Sequence, residues 1–306
     1  MLKLRFLSLL IKYLYRFSVL HKMLSYELHR IFRKTVIKEV NGLKMLLNLR
    51  DRGVSRDLFM YGKRELIPTD YLLNGHIVKE GDVVLDIGAN IGYYVLIESK
   101  LVGEQGKVYA IEPVSSNLAQ LQQNLKLNNC KNVEVFKLAV GDKNGKAKIY
   151  IPEKRNLSTL DKNALEGNLK SVEEIEVITV DSFLDKKPKP NFIRMDVEGY
   201  EFYIIKGMNK TLKLNIRLFI EIHPHKMSEE QLCEMLEILE KNGFYVELAT
   251  WGFKVNENKL IRTLKSKYLG EPYIILKNTN IQTLKNYLLR HKYTTRVFFS
   301  KSQLSE

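Results

Sequence analysis

From Gly81 onward the chain alternates short apolar runs with longer stretches of helical spacing. The runs at 82–87, 107–112, 133–140, 192–197 and 218–223 predict strands. The segments at 91–102, 115–128, 200–213 and 228–242 predict helices. Val83-Val84-Leu85 and Leu218-Phe219-Ile220 are apolar without alternation, as strands covered on both faces must be. Short buried strands separated by helices imply crossover connections and a mostly parallel sheet between helical layers. The interval 141–191 breaks the rhythm: 146–151 and 174–180 read as strands around a polar stretch, 152–171, long enough for a lid or substrate loop. The runs 245–250 and 273–276 add two strands with a hairpin-like excursion between them.

Ahead of this core, residues 1–40 read as one or two basic helices, 43–50 as a short strand, 51–70 as polar and irregular, and 71–78 as a short helix. The expected organisation is a basic helical extension and cap over 1–75, a core domain over 76–278, and a basic helix or tail over 279–306.

Composition changes the picture mainly through charge. The 306 residues carry a net charge of +14, and residues 1–50 hold eleven Lys and Arg against Glu27 and Glu39. Charges recur roughly every four residues between Leu2 and Leu20, which suits neither a spanning helix nor a signal peptide. Such a segment is attracted to an anionic membrane surface, or it packs on the core with its basic face solvated. Cys130 and Cys233 have no metal or disulfide spacing, which fits a reducing, cytoplasmic setting with a peripheral place at a membrane left open.

The candidate chemistry starts at the first strand of the core. Val83-Val84-Leu85-Asp86 runs into Ile87-Gly88-Ala89-Asn90-Ile91-Gly92, and the next strand ends in Glu112. Small residues let backbone approach a ligand, the following helix offers unpaired N–H groups, and a carboxylate at the second strand tip suits two ribose hydroxyls. A dinucleotide wants the fuller glycine turn and no carboxylate beside its pyrophosphate. Asp86 and the missing first glycine therefore favour S-adenosylmethionine, whose ammonium wants an acceptor such as Asp86.

Asp86-Ile87-Gly88-Ala89-Asn90-Ile91-Gly92-Tyr93-Tyr94, Glu112-Pro113, Ala139-Val140-Gly141-Asp142 and Asp196-Val197-Glu198-Gly199-Tyr200-Glu201 together resemble the FkbM-type S-adenosylmethionine-dependent methyltransferases, over about residues 80–224. The resemblance implies an α/β, Rossmann-like seven-strand class I methyltransferase sheet, mostly parallel with the last strand antiparallel. It implies O-methylation of a hydroxyl on a glycan, glycolipid or related small molecule. It places Asp86, Gly88, Asn90 and Gly92 along the methionine and ribose end, Glu112 on the ribose, and Ala139 and Val140 at the adenine. Ala89, Tyr93 and Pro113 belong to the same stretches and join the candidate cofactor contacts.

Methyl transfer to an alcohol needs alignment and help in removing a proton. Candidates follow the fourth and fifth strands: Asp196, Glu198 and Glu201, then Glu221 and His223, which share a face. Three roles stand open. His223 is a general base oriented by Glu221; or Asp196, Glu198, Glu221 and His223 hold a divalent cation; or Glu198 and Glu201 merely cap and pair with Arg194 and nearby lysines. Arg56, Arg64 and Glu65 are candidates to fold over the cleft, and Tyr200 and Trp251 to stack on a sugar. The high charge also admits a nucleic-acid methyltransferase, which the position of the basic residues outside the core disfavours. A binding protein of the same fold that has lost its chemistry is the third class. Neither the acceptor nor the oligomeric state is written in the sequence.

Overall fold

The computed structural model describes residues 34–51, 53–74, 77–153, 157–251 and 274–301, with isolated positions between 23 and 31; the side chains of Trp251, Ile274 and Ile275 lie outside the description. The chain divides into two compact units, 1–64 and 65–306.

In the first unit, β1 (Thr35–Val40) and β2 (Leu43–Asn48) form an antiparallel hairpin. Asn41 and Gly42 join them with φ of 52° and 74°. Two left-handed central residues make the turn whose twist matches paired strands, and Asn-Gly is its commonest sequence. This corrects the helical expectation for 35–40. Met23, Leu24, Tyr26, Glu27 and Ile31 are helical, and residues 1–22 of the expected basic helices lie outside the described residues. The stretch read as irregular instead holds α1 (Val54–Tyr61), which ends on Gly62 at φ 71°.

The second unit begins with α2 (Leu66–Asn74) and then alternates strand and helix. The successive elements are β3 (Val83–Ile87), α3 (Tyr93–Val102), β4 (Lys107–Ile111), α4 (Ser115–Leu127) and β5 (Val133–Phe136). Three strands, β6 (Ala139–Val140), β7 (Gly145–Pro152) and β8 (Leu169–Ile178), leave the main sheet and form their own, in the order β6-β8-β7. The chain returns through α5 (Val180–Phe183), β9 (Phe192–Met195), α6 (Glu201–Lys206), β10 (Arg217–Ile222), α7 (Glu229–Lys241) and β11 (Phe244–Trp251). It closes with β12 (Ile274–Thr279), α8 (Ile281–His291) and β13 (Thr295–Lys301).

The main sheet has eight strands in the order β12-β11-β13-β10-β9-β3-β4-β5. The run from β10 to β5 is parallel, β13 is antiparallel to both β10 and β11, and β12 adds an antiparallel edge beyond the expected seven. The expected C-terminal tail is therefore part of the sheet. Its helix α8 is capped by Asn280, whose Oδ1 accepts from Thr283 N at 2.8 Å. Its buried stripe is Ile281, Leu284 and Leu288, and α8 packs against α7. Beyond it, Val297, Phe298 and Phe299 are buried, and Phe298 stacks on Phe219 of β10 at 4.2 Å between ring centres. Full burial of each such side chain contributes about 1.5–3 kcal/mol, enough to hold a strand of basic composition inside the sheet. The expected strand 133–140 is split. Its last two residues pair with Val177 and Ile178 of β8, not with the main sheet.

From β3 the chain winds outward to β4 and β5, then crosses back to β9 and β10 on the other side. The reversal falls between β3 and β9, and the crevice above such a reversal is where open α/β sheets bind ligands. Among the described residues, no helix is long and apolar enough to cross a membrane.

Candidate active site

Parallel register sets the first half of the site. Asp86 of β3 lies opposite Arg194 of β9. Both are buried, and Arg194 Nη1 donates to Asp86 Oδ1 at 2.9 Å while Nη2 donates to Asp196 Oδ2 at 3.0 Å. The guanidinium also lies over the Tyr94 ring, 4.2 Å from its centre. Asp86 has no exposed surface, and its Oδ2 makes no hydrogen bond among the described residues. The other buried carboxyl there is Glu98 of α3. Burial and the Asp86 charge push the Glu98 carboxyl well above the usual range. Asp86 Oδ2 and both Glu98 oxygens make no hydrogen bond among the described residues, so two carboxyls lie buried together behind the turn. The ammonium-acceptor role expected of Asp86 needs open surface that it lacks. The residue instead anchors Arg194 beneath the crevice.

The turn after β3 is held in left-handed backbone at Gly88 (φ 86°), Asn90 (53°) and Gly92 (90°). A Cβ on Gly88 would lie 2.0 Å from the backbone oxygen of Asp196, so this glycine lets the tips of β3 and β9 meet. Asp196 N continues that contact by donating to Ile87 O at 3.0 Å. Glu112 sits beside the turn, buried. Its carboxylate accepts from Asn90 N at 2.7 Å, Val114 N at 2.9 Å and Asn117 Nδ2 at 3.3 Å. A carboxylate has about four acceptor sites, so one stays open to a hydroxyl and a second opens if the long Asn117 contact yields. Burial outweighs these donors and raises the Glu112 pKa to about 7. Pro113 is partly exposed and Ala89 buried. Tyr93 is buried, with its hydroxyl 3.2 Å from Thr69 Oγ1. Ala139 and Val140 are buried in the small sheet, so they do not extend the main sheet's third strand as expected.

The second half lies beyond β9 and β10. Asp196-Val197-Glu198-Gly199 turns sharply, with Glu198 at φ 55° and Gly199 at 104°. Left-handed backbone is unusual for a residue with a long side chain, and it turns Glu198 toward His223. His223 is buried. Its Nδ1 lies 2.8 Å from Glu201 Oε1, and its Nε2 lies 3.5 Å from Glu198 Oε2 and 4.0 Å from Glu221 Oε1. Burial lowers its pKa, but the carboxylates of Glu198, Glu201 and Glu221 outweigh burial and raise it to about 10.

One expectation for His223 is thereby corrected. Glu201, not Glu221, orients the ring, because Glu201 Oε1 reaches Nδ1 while also accepting from Gly199 N at 3.0 Å. Glu221 is engaged elsewhere: antiparallel register places Arg296 opposite it, and Arg296 Nη2 donates to Glu221 Oε1 at 2.7 Å. The bland reading holds for one contact, since Lys226 Nζ reaches Glu198 Oε2 at 2.6 Å and Glu166 Oε1 at 3.3 Å.

Sequence reasoning missed Arg296, Lys226 and Glu98, and gave Arg194 and Glu65 lesser parts. Glu65 accepts from the Tyr94 hydroxyl at 2.6 Å and from Arg296 Nη2 at 3.3 Å, within the same unit. The available signal was a lone charge inside an apolar strand: Arg194 within Phe-Ile-Arg-Met, Arg296 beside Val-Phe-Phe. Arg56 pairs with its neighbour Asp57 at 3.3 Å, and Tyr200 stacks on Tyr203. The Trp251 side chain lies outside the described residues.

A sheet with this strand order, a glycine turn at its reversal point and an acid closing the next strand define the class I methyltransferase fold. Residues 86–246 match the Methyltransferase FkbM domain, and the chain belongs to that family. Hexuronic acid methyltransferase AglP of Haloferax volcanii is 29% identical over 148 residues, which are 47% of this chain and 57% of that protein. A protein-L-isoaspartate O-methyltransferase of Fervidobacterium nodosum is 35% identical over 75 residues, 24% of this chain and 36% of its own. The chain thus spans about half the length, or less, of these relatives. Among solved structures, the FkbM methyltransferase of Methylobacillus flagellatus KT aligns at 16% identity and a TM-score of 0.45, covering 80% of this chain and 54% of that one.

Proposed function

We propose that this methyltransferase transfers the methyl group to a hydroxyl of a sugar-type acceptor. The carrying observation is the polar cluster at the β9 and β10 tips, set directly beside the glycine turn through the contact of Gly88 with Asp196. When bound, S-adenosylmethionine supplies a methyl group on a sulfonium. Its residues here are the backbone of Gly88, Ala89, Asn90 and Gly92, with Glu112 and Pro113 at the ribose. The donor set fits: a small-residue turn in left-handed backbone and one carboxylate with spare acceptor capacity. Asp86 acts at one remove, by fixing Arg194. Tyr93, Ala139 and Val140 stay candidates to line the cofactor.

The acceptor hydroxyl must lose a proton as it gains the methyl group. The carboxylates of Glu198, Glu201 and Glu221 raise the His223 pKa to about 10, which favours the charged imidazolium over a free base. Glu221 is tied to Arg296. A divalent cation also acidifies a hydroxyl, and two carboxylates with one imidazole are a donor set such an ion takes.

The relative named for hexuronic acid favours a sugar acid as the first acceptor to try. The test incubates the full chain with S-adenosylmethionine and a panel of uronic-acid and neutral sugar glycosides, then reads the gain of one methyl by mass. An alkali-stable mark, an ether, supports the hydroxyl reading. An alkali-labile mark, an ester, moves the acceptor to the carboxyl group. Methylation of RNA or DNA alone overturns both. A role for residues 1–40 at an anionic membrane belongs to the same proposal, and unchanged vesicle binding after their removal refutes it.

A further inference from the structure

We propose that Asp196, Glu198 and His223 form a binding site for one divalent cation of the Mg2+ or Mn2+ class, resting on the hydroxyl-acceptor reading above. One ligand atom from each lies within 4.8 Å of the other two. Donors bound to a common ion at about 2.1 Å stand about 3 Å apart when adjacent and about 4.2 Å when opposite, so a small contraction closes the set.

The imidazole is already prepared. Glu201 Oε1 takes Nδ1 at 2.8 Å, and Glu201 is itself fully buried and held by Gly199 N at 3.0 Å. That leaves Nε2 as the free nitrogen. It points at Glu198 Oε2 from 3.5 Å, an ion-pair distance with no hydrogen bond made, on a side chain only 4% exposed. A ligating histidine whose other nitrogen is fixed by a carboxylate is the usual outer shell of a metal site. Asp196 has its own outer partner, with Arg194 Nη2 on Oδ2 at 3.0 Å.

Charge agrees. Two carboxylates offset a dication, and the ion takes the place of the His223 Nε2 proton, which leaves to solvent. The present counter-charge on Glu198 Oε2 is Lys226 Nζ at 2.6 Å, which Glu166 Oε1 at 3.3 Å can retain when an ion arrives. Oxygen donors outnumber nitrogen, which suits a hard or borderline ion. Three protein donors leave half of an octahedral shell for water and an acceptor oxygen. A hydroxyl bound there is acidified without any side-chain base.

The test needs no turnover. The full chain is stripped with EDTA, dialysed and titrated with Mn2+ alone, with bound metal followed by electron paramagnetic resonance and calorimetry. One Mn2+ per chain is expected, weakened at least tenfold by H223A and by E198Q and unchanged by E174Q, an exposed carboxylate paired only with Lys146. S-adenosylmethionine affinity is measured on the same samples. Retained cofactor binding shows that a variant is folded and keeps failure of the metal site separate from failure of the methyltransferase reading. Should H223A not fold, pulsed resonance on the wild-type Mn2+ complex decides the matter, since coupling to an imidazole nitrogen is required. No binding at millimolar Mn2+, binding indifferent to H223A, or a bound ion without nitrogen coupling overturns the proposal.

Discussion

The tips of β3 and β4 and the tips of β9 and β10 are close neighbours yet differ in how their charges are balanced. On the β3 side, Asp86 is paired with Arg194, and Glu112 has three N–H donors. On the β9 side, Glu198, Glu201 and Glu221 crowd one imidazole, Lys226 reaches only one of the three, and Glu198 sits in left-handed backbone. A site that recognises an invariant cofactor can hold its acids in fixed pairs and backbone hydrogen bonds. A site that must activate an acceptor keeps unspent charge and strain, which low-dielectric surroundings make consequential.

The strongest way to break the comparison is Gly88→Ala. The new methyl meets backbone rather than a movable side chain, at 2.0 Å, and φ is 86°. We expect a loss above about 3 kcal/mol in urea denaturation together with loss of cofactor binding. Gly92→Ala sharpens the point: its methyl meets only Leu121 Cδ1, at 2.5 Å, and about 1–2 kcal/mol is expected.

Arg194→Met comes next. It strands Asp86 and Asp196 around an apolar side chain, and about 3–5 kcal/mol should be lost, part of it recovered by adding Asp86→Asn. Equal destabilisation with and without the second change would show that the charge of Asp86 is not what the arginine holds.

A subtler effect concerns Glu112. Its folded pKa is raised from 4.5 to about 7, so its contribution to stability is fully present below about pH 4.5 and lost as pH rises through 7. A ribose hydroxyl needs the carboxylate, so cofactor affinity should run the opposite way, about tenfold tighter at pH 8 than at pH 6. Glu112→Gln should flatten that profile; a profile unchanged by the substitution would remove Glu112 from the ribose. The smallest effect expected is Glu166→Gln, under about 0.5 kcal/mol in the same denaturation assay, because Glu166 is about half exposed.

The turn after β3 and the acids of β3 and β4 were legible in the sequence because their signals are local: an apolar run, an acid, small residues and a second acid one unit later. The alternation of strand and helix was legible for the same reason. Partners set by register were not. Arg194 meets Asp86, and Arg296 meets Glu221, only because strands more than 70 residues apart in sequence align side by side. The choice of Glu201 over Glu221 as the partner of His223 turns on a helix start that brings Glu201 under the ring. The role of residues 295–301 was hidden by their basic surroundings, although Val297-Phe298-Phe299 is as apolar as any central strand. Asn41-Gly42 was a readable hairpin signal, and the basic helical pattern before it obscured it.

One consequence follows from where β13 lies. It separates β10 from β11 in the sheet, yet it is made after every other described strand. A nascent chain therefore carries an open slot lined by Phe219 and its neighbours, exposing unpaired strand edges until this segment slides in. Synthesis of β13, rather than completion of the glycine turn, sets the earliest moment at which the sheet can close.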